Sequence, residues 1–426
     1  MRYILFRSRV FLSLITAALL LASGNPPYAQ TDALTFDAAL RLAADRSQQL
    51  VAEDAAANAA REMAVAAHQA PDPTLTTGVN NLPINGADAF SLGRDFMTMR
   101  SIGVGRELTR DDKREARAAR FVSEADEAQA ARTVALTELQ RGAASAWLDR
   151  YYRERARDIL LRQRDEAALQ IEAADVAFRS GHGPQSDVFA ARLALAKIED
   201  RIAVNARDIE VATTRLARWV GDSARHPLGP PPATGNVALR AGDLETTLAH
   251  HPEVALMTKQ EAVARADVEV ARTNKRSDWT VEVMYSQRGP GFSNMMSVNF
   301  SKPLQWRQRN RQDREIAAKL SLVERARAER EEATREHVAD ASASLASWRV
   351  DRERLGRYAS TLIPLAGERT AAAAAAYRGG KGTLGAVLEA RVAEVDIHLD
   401  ELMLEMETAT LWAELTFLVP SGAAHE

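Results

Sequence analysis

Hydrophobic residues follow two different periods along this chain, and each period predicts a different kind of element. From Val188 to Leu216, apolar residues recur at strict sevens, and four of these five positions are followed three residues later by a second small or apolar residue. This a/d pattern over five heptads is typical of coiled-coil helices. A comparable seam runs from Leu388 to Ala413. Both stretches therefore predict helices that pack along their length, and the alternating charges between the apolar positions predict solvated faces.

A period of two predicts four strands, which are clearest in the second half of the chain. The predicted strands are 74–79, 97–108, 279–286 and 296–301. The segments 81–86 and 288–291 contain proline and glycine and predict turns between paired strands. One interpretation is two ordinary hairpins in a soluble α+β protein. The alternative is membrane strands, which survive in a bilayer only as a closed barrel. Four strands cannot close a barrel, whereas three copies of the chain would supply twelve.

The predicted helices are unusually long. Residues 106–180 contain no proline and only Gly142 as a mild breaker, which allows a helix of about 75 residues or about 110 Å. Shorter predicted helices, laid end to end in pairs, match such a length: 186–220 with 243–274, and 384–419 with 35–69. We therefore predict that each pair lies along one long helix.

The same plan occurs twice in the sequence. Residues 40–79 align without gaps on residues 244–283, and the order helix, strand, strand, long helix, turn, helix follows in both halves. A unit of about 200 residues is far longer than a solenoid repeat and indicates a duplication. The predicted division is as follows: signal peptide 1–29, first repeat 30–226, Pro-rich linker 227–240, second repeat 241–420 and C-terminal tail 421–426.

The N-terminus predicts export. Three arginines within the first nine residues precede an apolar run over 10–22, and small residues and prolines follow. This is a signal-peptide layout, and the run of about 13 residues is too short for a membrane-spanning helix. Cleavage after Ala29 fits, although the position stays open. The chain has no cysteine, so disulfides and thiolate metal sites are excluded. Asn25 stands where a lipid-attachment cysteine would be, which predicts that the N-terminus is not lipidated.

Several motifs, in this order and spacing, resemble the TolC family of outer-membrane efflux proteins over almost all of the mature length. They are Gly181 with Asp187-Val188, His251-Pro252-Glu253-Val254, Ser301-Lys302-Pro303-Leu304, Tyr377-Arg378-Gly379-Gly380-Lys381-Gly382-Thr383-Leu384 and Val387-Leu388-Glu389-Ala390. The resemblance implies a mainly α fold with a small β part: a long antiparallel coiled-coil barrel in the periplasm, and four strands per chain in a trimeric, twelve-stranded outer-membrane barrel.

The resemblance also implies partners. A homotrimer of this kind, embedded in outer-membrane lipid, would work with a periplasmic adaptor (a membrane fusion protein) and an inner-membrane RND-type pump. The motif in the second half is closest to the heavy-metal efflux branch. Two alternatives stay open: a conduit of the same fold for drug efflux or type I protein secretion, and a periplasmic coiled-coil scaffold without channel activity.

The helix turns of this family form the periplasmic entrance and meet the adaptor. Here the turn glycines are Gly181, Gly183, Gly379, Gly380 and Gly382. The resemblance assigns Asp187, Tyr377 and Glu389 to the entrance gate, and three copies of Glu389 would form a carboxylate ring that attracts cations.

Other interpretations of the gate residues stay open. Asp187 could instead be a helix N-cap, and Glu389 a solvated surface residue. The chain also departs from the family, with Ala386 in place of a common aspartate and Gly382 in place of an arginine, so Arg378, Lys381 or Arg391 would have to supply the basic partner.

The sequence predicts neither an enzyme nor a cofactor-binding protein. It contains no Gly-rich phosphate loop and no nucleophile elbow, and the net charge of -3 does not call for nucleic acid. His250, His251 and Glu253 suggest a metal site only weakly, because adjacent histidines on a helix face different ways and the sequence shows no third ligand. We therefore predict no metal site.

Overall fold

The structure is a computed structural model that describes residues 33–418 except 241 and 243. The predicted signal peptide 1–29 and the predicted tail 421–426 lie outside these residues. The helices described are α1 (Phe36–Arg46), α2 (Gln48–His68), α3 (Asp111–Arg179), α4 (Gln185–Val220), α5 (Leu244–Leu248), α6 (Pro252–Thr273), α7 (Gln312–Arg357), α8 (Ile363–Arg378) and α9 (Leu384–Thr416). The strands are β1 (Thr74–Asn80), β2 (Met99–Leu108), β3 (Trp279–Gln287) and β4 (Met295–Ser301).

The four strands form one antiparallel sheet in the order β1-β2-β3-β4. The central pairing joins β2 to β3, so the strands do not form two separate hairpins. Within the described residues, one edge of β1 and one edge of β4 have no partner strand. Loops 81–98 and 288–294 close the end of the sheet away from the helices, and Arg288 donates a hydrogen bond to the carbonyl of Phe96 across them.

Most predicted boundaries agree with the structure, and the exceptions have local causes. Residues 106–108 belong to β2, so α3 begins only at Asp111. The predicted N-terminal helix is interrupted at Ser47, whose hydroxyl caps α2 by accepting a hydrogen bond from the amide of Leu50 at 3.3 Å. The predicted helix 243–274 is likewise split, because His251 caps α6 and Pro252 occupies its first turn.

The second long helix contains a short π-helical segment, Tyr358–Leu362, between α7 and α8. Pro364 lies two residues after this segment, in the first turn of α8, and cannot donate a backbone hydrogen bond to the preceding turn. The π segment absorbs this missing bond and lets the helix continue. The sequence pattern predicted one continuous long helix here, without the interruption at Pro364.

The helices form a long rod with α3 in a central position. This helix has 69 residues, or about 104 Å at 1.5 Å per residue. It packs on one side against α2 and α4, and on the other against α6 and α9. The second long helix also packs against α6 and α9. The predicted end-to-end pairs were therefore wrong: α4 continues the line of α1 and α2, and α9 continues the line of α6.

Aromatic residues fill the core at the middle of the rod, where these lines of helices meet. Trp147 of α3 is fully buried, and its indole N–H donates a hydrogen bond to the carbonyl of Leu34 at 3.0 Å. The ring of Phe36 lies edge-on to it at 5.6 Å between centroids. Leu216 and Ala413 from α4 and α9 complete the same cluster. None of the helices described here is long and apolar enough to cross a membrane.

Candidate functional site

The sheet has one apolar face that is open to its surroundings. The backbone register places Leu75, Val104, Val283 and Val298 side by side across all four strands. These four side chains are all exposed. The next row on the same face contains Ile102, Tyr285 and Met296, which are also exposed. A contiguous exposed apolar surface of this kind marks an interaction site or a membrane contact.

The side chains on the opposite face of the sheet are mostly small or polar, with Met284 as the exception in the central row. This row consists of Thr76, Gly103, Met284 and Ser297. Glycine suits position 103, because a Cβ there would lie only 3.0 Å from the carbonyl oxygen of Val283 and the neighbouring strand would have to give way slightly. The two faces therefore differ in character along every strand, as the period-two pattern predicted for β3 and β4.

Aromatic residues lie where the sheet joins the rod. Trp279 begins β3, and the ammonium of Lys302 lies 5.0 Å from its ring centroid. Trp306 is 85 % exposed, so its ring does not pack between helix and strand. Amphipathic tryptophans are enriched at the boundary between membrane and water.

The opposite end of the rod consists of two helix turns built in the same way. Gly181 has a φ of +74° and Gly380 a φ of +70°, and each follows the C-cap residue of its helix. Their amides donate to Phe178 and Tyr377, while the next amides donate to Ala177 and Ala376. This is the Schellman arrangement. Glycine is the preferred residue at the position with positive φ, because the left-handed backbone conformation is strained for residues that have a Cβ.

The next glycines in the two turns allow a close approach of the backbone. A Cβ on Gly183 would lie 3.3 Å from the Cβ of Ala177. A Cβ on Gly382 would lie 3.1 Å from both the Cβ of Ala376 and the amide of Tyr377. Gly379 precedes Gly380 as the C-cap of α8. The predicted turn glycines therefore have a demonstrable structural role, whereas their contact with an adaptor stays a prediction.

The predicted gate residues surround one small apolar cluster behind these turns. Tyr377 is half-buried and packs against this cluster, which includes Val188 and Leu388. Asp187 and Glu389 are the chain neighbours of those two core residues. No hydrogen bond or ion pair joins the three predicted residues to one another within the described chain. The structure therefore places them in one region without forming a closed network.

Glu389 has a basic partner that the sequence did not indicate. Its carboxylate lies 3.2 Å from the guanidinium of Arg369 on α8. Arg391, one of the suggested partners, instead pairs with Glu166 and Glu394. Arg369 precedes Glu389 by 20 residues and lies on the other side of the helix turn, so no local spacing in the sequence indicates this contact.

Asp187 is not the N-cap of α4. Pro184 occupies that position, and the backbone amide of Asp187 donates to the carbonyl of Pro184 at 3.1 Å. Asp187 lies within the first turn, where its negative charge interacts favourably with the helix dipole. Its half-exposed carboxylate accepts no hydrogen bond from the described residues.

Farther along the rod, α9 carries a row of carboxylates toward α3. Glu394, Glu401 and Glu405 line a groove of about 270 Å³ together with Arg155 and Arg162. Burial, and next the charge of Glu401, raises the pKa of Glu405. Protonation of this carboxyl group is therefore easier than that of an exposed glutamate.

Solved structures with the same architecture are outer-membrane channels. CusC, described in terms of transmembrane channel formation, superimposes with a TM-score of 0.74 at 12 % identity, covering 91 % of this chain and 93 % of that chain. The outer-membrane channel OprN gives a TM-score of 0.73 at 14 % identity, covering 92 % and 91 %. This chain has the fold of these channels. A membrane protein from Pseudomonas aeruginosa gives 0.75 at 14 % identity, covering 90 % and 92 %.

The mainly helical chain fold with a four-stranded antiparallel sheet, which the TolC resemblance implied, is thus confirmed across nearly the whole described chain. No protein-family model matches the sequence, and no curated protein matches it. At identities of 12 to 14 %, the likeness extends to the fold alone.

Proposed function

We propose that this chain is the outer-membrane component of a tripartite efflux system of the TolC type, a passive conduit located in the outer membrane with a periplasmic helical rod. The observation that carries the proposal is the sheet: four strands with unpaired edges expose one continuous apolar face. Water penalises such a face, while lipid hydrocarbon accepts it.

The sheet also supports a homotrimer. Every backbone polar group inside a bilayer needs a partner, so β1 and β4 must pair with strands of other copies. Membrane barrels need about eight strands or more, and three copies supply twelve. The strands have seven to ten residues, close to the length of about nine to eleven that spans a bilayer.

The rod supplies the rest of the conduit. Its glycine turns lie at the end farthest from the sheet, where a periplasmic adaptor and an inner-membrane RND-type pump would meet it. We propose no catalytic activity and no cofactor, because the pump supplies the energy for transport. Carboxylates at the entrance, three copies of Glu389 among them, favour exported cations, and heavy-metal cations are the substrate class that the resemblance suggests.

A pair of adjacent positions on β4 tests the membrane assignment. Val298 lies on the apolar face and Asn299 on the polar face, and both side chains are exposed. Lysine on the lipid face near the bilayer midplane costs about 2–4 kcal/mol per copy, whereas lysine on the inner face of a barrel is tolerated. We therefore expect V298K to reduce the amount of trimer in the outer-membrane fraction, and N299K to leave it unchanged.

The assay combines membrane fractionation with conductance of the purified trimer in planar bilayers. The wild-type protein and N299K should form ion-conducting channels of equal abundance. A soluble scaffold would tolerate lysine equally at both exposed positions and would remain in the soluble periplasmic fraction. That outcome would refute the proposed conduit.

A further inference from the structure

Three potential metal ligands meet where α5, α6 and α7 come together in the rod. They are His251 at the start of α6, Glu253 in its first turn, and His337 on α7. One ligand atom from each residue lies within 4.8 Å of the other two. His251 is only 3 % exposed, and the other two residues are half-buried. This cluster lies far from both the sheet and the glycine turns.

The contacts among the three side chains hold them in place. Nε2 of His337 lies 2.7 Å from a carboxylate oxygen of Glu253. The two imidazole rings stack, with 4.1 Å between centroids and 30° between planes. The backbone amide of Glu253 donates a long hydrogen bond of 3.3 Å to Nδ1 of His251. Each imidazole therefore keeps one ring nitrogen without a hydrogen-bond partner in the described chain.

The surroundings favour a bound cation and give it access. A cavity of about 650 Å³ opens onto both histidines. Asp340 and Glu414 also line this cavity, and Arg141 is the basic residue in its wall. With Glu253 there are three carboxylates and one guanidinium around the cluster. This excess of negative charge lowers the electrostatic free energy of a bound cation.

We propose that His251, Glu253 and His337 bind one divalent transition-metal ion of the zinc type. Two imidazoles and one carboxylate are ligands that Zn²⁺ accepts, and three protein ligands leave a fourth position for water. The ion takes the place of the N–H proton of His337 that faces Glu253, and by exchange with solvent the ring then carries its proton on Nδ1, so that the ligand is a neutral imidazole. His251 contributes the third ligand atom.

Binding of the ion would fasten the start of α6 to α7. Without it, one hydrogen-bonded contact and the ring stack join these two helices at this point. Metal binding at this cluster is independent of whether the chain conducts ions. Sequence spacing does not indicate this cluster, because His337 lies on α7, which is separated from His251 by β3 and β4. His250 is exposed, and its Nδ1 lies 3.1 Å from the carbonyl oxygen of Thr246.

The test is calorimetric titration of the metal-free, full-length protein in detergent with Zn²⁺. We expect one Zn²⁺ per chain. Loss of an outer partner of a metal ligand weakens binding by about 10- to 100-fold, and loss of a ligand should weaken it at least as much. H337Q and E253Q should therefore both lose affinity by this factor, while the matched control H250Q should bind as the wild type does.

Two further measurements separate loss of the site from loss of the fold. Circular dichroism reports whether each variant keeps its helices, and E253Q decides the matter if H337Q does not fold. Co²⁺ in place of Zn²⁺ should give visible absorption bands in the wild-type protein and in H250Q but not in H337Q. Equal Zn²⁺ affinity in all three variants, or no binding to the wild type, would overturn the proposal.

Discussion

Gly142 and Gly356 are glycines inside long helices with opposite surroundings, so alanine should have opposite effects at the two positions. A Cβ on Gly142 would lie 2.5 Å from Cζ2 of Trp219, whereas a Cβ on Gly356 would meet nothing within 4 Å. Alanine stabilises an exposed helix interior by about 1 kcal/mol relative to glycine. G356A should therefore stabilise the folded protein by about this amount.

The predicted clash with Trp219 determines how much G142A destabilises the protein. Carbon atoms in contact lie about 3.5–4.0 Å apart, so the indole of Trp219 would have to retreat by about 1 Å or more. It has little room, because it packs against two buried clusters and the guanidinium of Arg218 lies 4.6 Å from its ring centroid. Overpacking costs about 1–3 kcal/mol. Set against the gain in helix propensity, G142A should be destabilising by up to about 2 kcal/mol.

The assay is thermal unfolding of the detergent-solubilised protein, followed by far-ultraviolet circular dichroism. Unfolding of such a protein is commonly irreversible, so apparent midpoints should be compared at one scan rate. Adding G142A to W219A should cost less than adding it to the wild type, because the indole is then absent. Equal midpoints for G142A and G356A, or an equal loss in both backgrounds, would show that the close helix contact does not exist.

Three further predictions concern the entrance and the rod. E389Q should reduce the preference of reconstituted channels for cations, and R369Q should increase it. Reversal potentials in asymmetric salt measure this preference. Unchanged reversal potentials in both variants would show that this pair does not line the entrance. The raised pKa of Glu405 means that its contribution to stability is present below the ordinary carboxyl pKa and is lost as pH rises through the folded value. E405Q should therefore raise the unfolding midpoint at neutral pH but not at acid pH, and a uniform shift would contradict this reasoning. G380A should lower the free energy of unfolding by about 1–2 kcal/mol, because Gly380 has a positive φ, and G380N should lower it less. The same thermal unfolding assay measures both variants.

Features set by local periodicity could be predicted from the sequence. The alternation from Trp279 to Tyr285 predicted both β3 and the face that it exposes. The heptads that begin at Val188 predicted α4, and several of their a and d residues are buried, Ile198 and Leu216 among them. The duplication into repeats 30–226 and 241–420 stays a prediction about the origin of this order.

Contacts between distant parts of the chain could not be predicted in this way. The pairing of Arg369 with Glu389 depends on how α8 lies against α9, and the meeting of His337 with His251 depends on how α7 lies against α6. Gly142 was taken as a mild helix breaker, although it is a packing position for Trp219. Each of these features arises from the order of helices around the rod, which periodicity does not specify.

The strand order of the sheet explains that order of helices. Helix α2 leads into β1, α3 leaves β2, α6 leads into β3, and α7 leaves β4, so the sheet order sets the same order in the rod. Helices α4 and α9 return from the turns into the lines of α2 and α6. The outer lines of helices therefore follow the two edge strands, and both carry exposed apolar residues, including Val51 and Val65 on α2 and Leu320 and Leu322 on α7. Rod and sheet thus leave their unpartnered surfaces on the same two sides. On each side, one neighbouring copy would cover the exposed apolar residues of the rod and the free strand edge together.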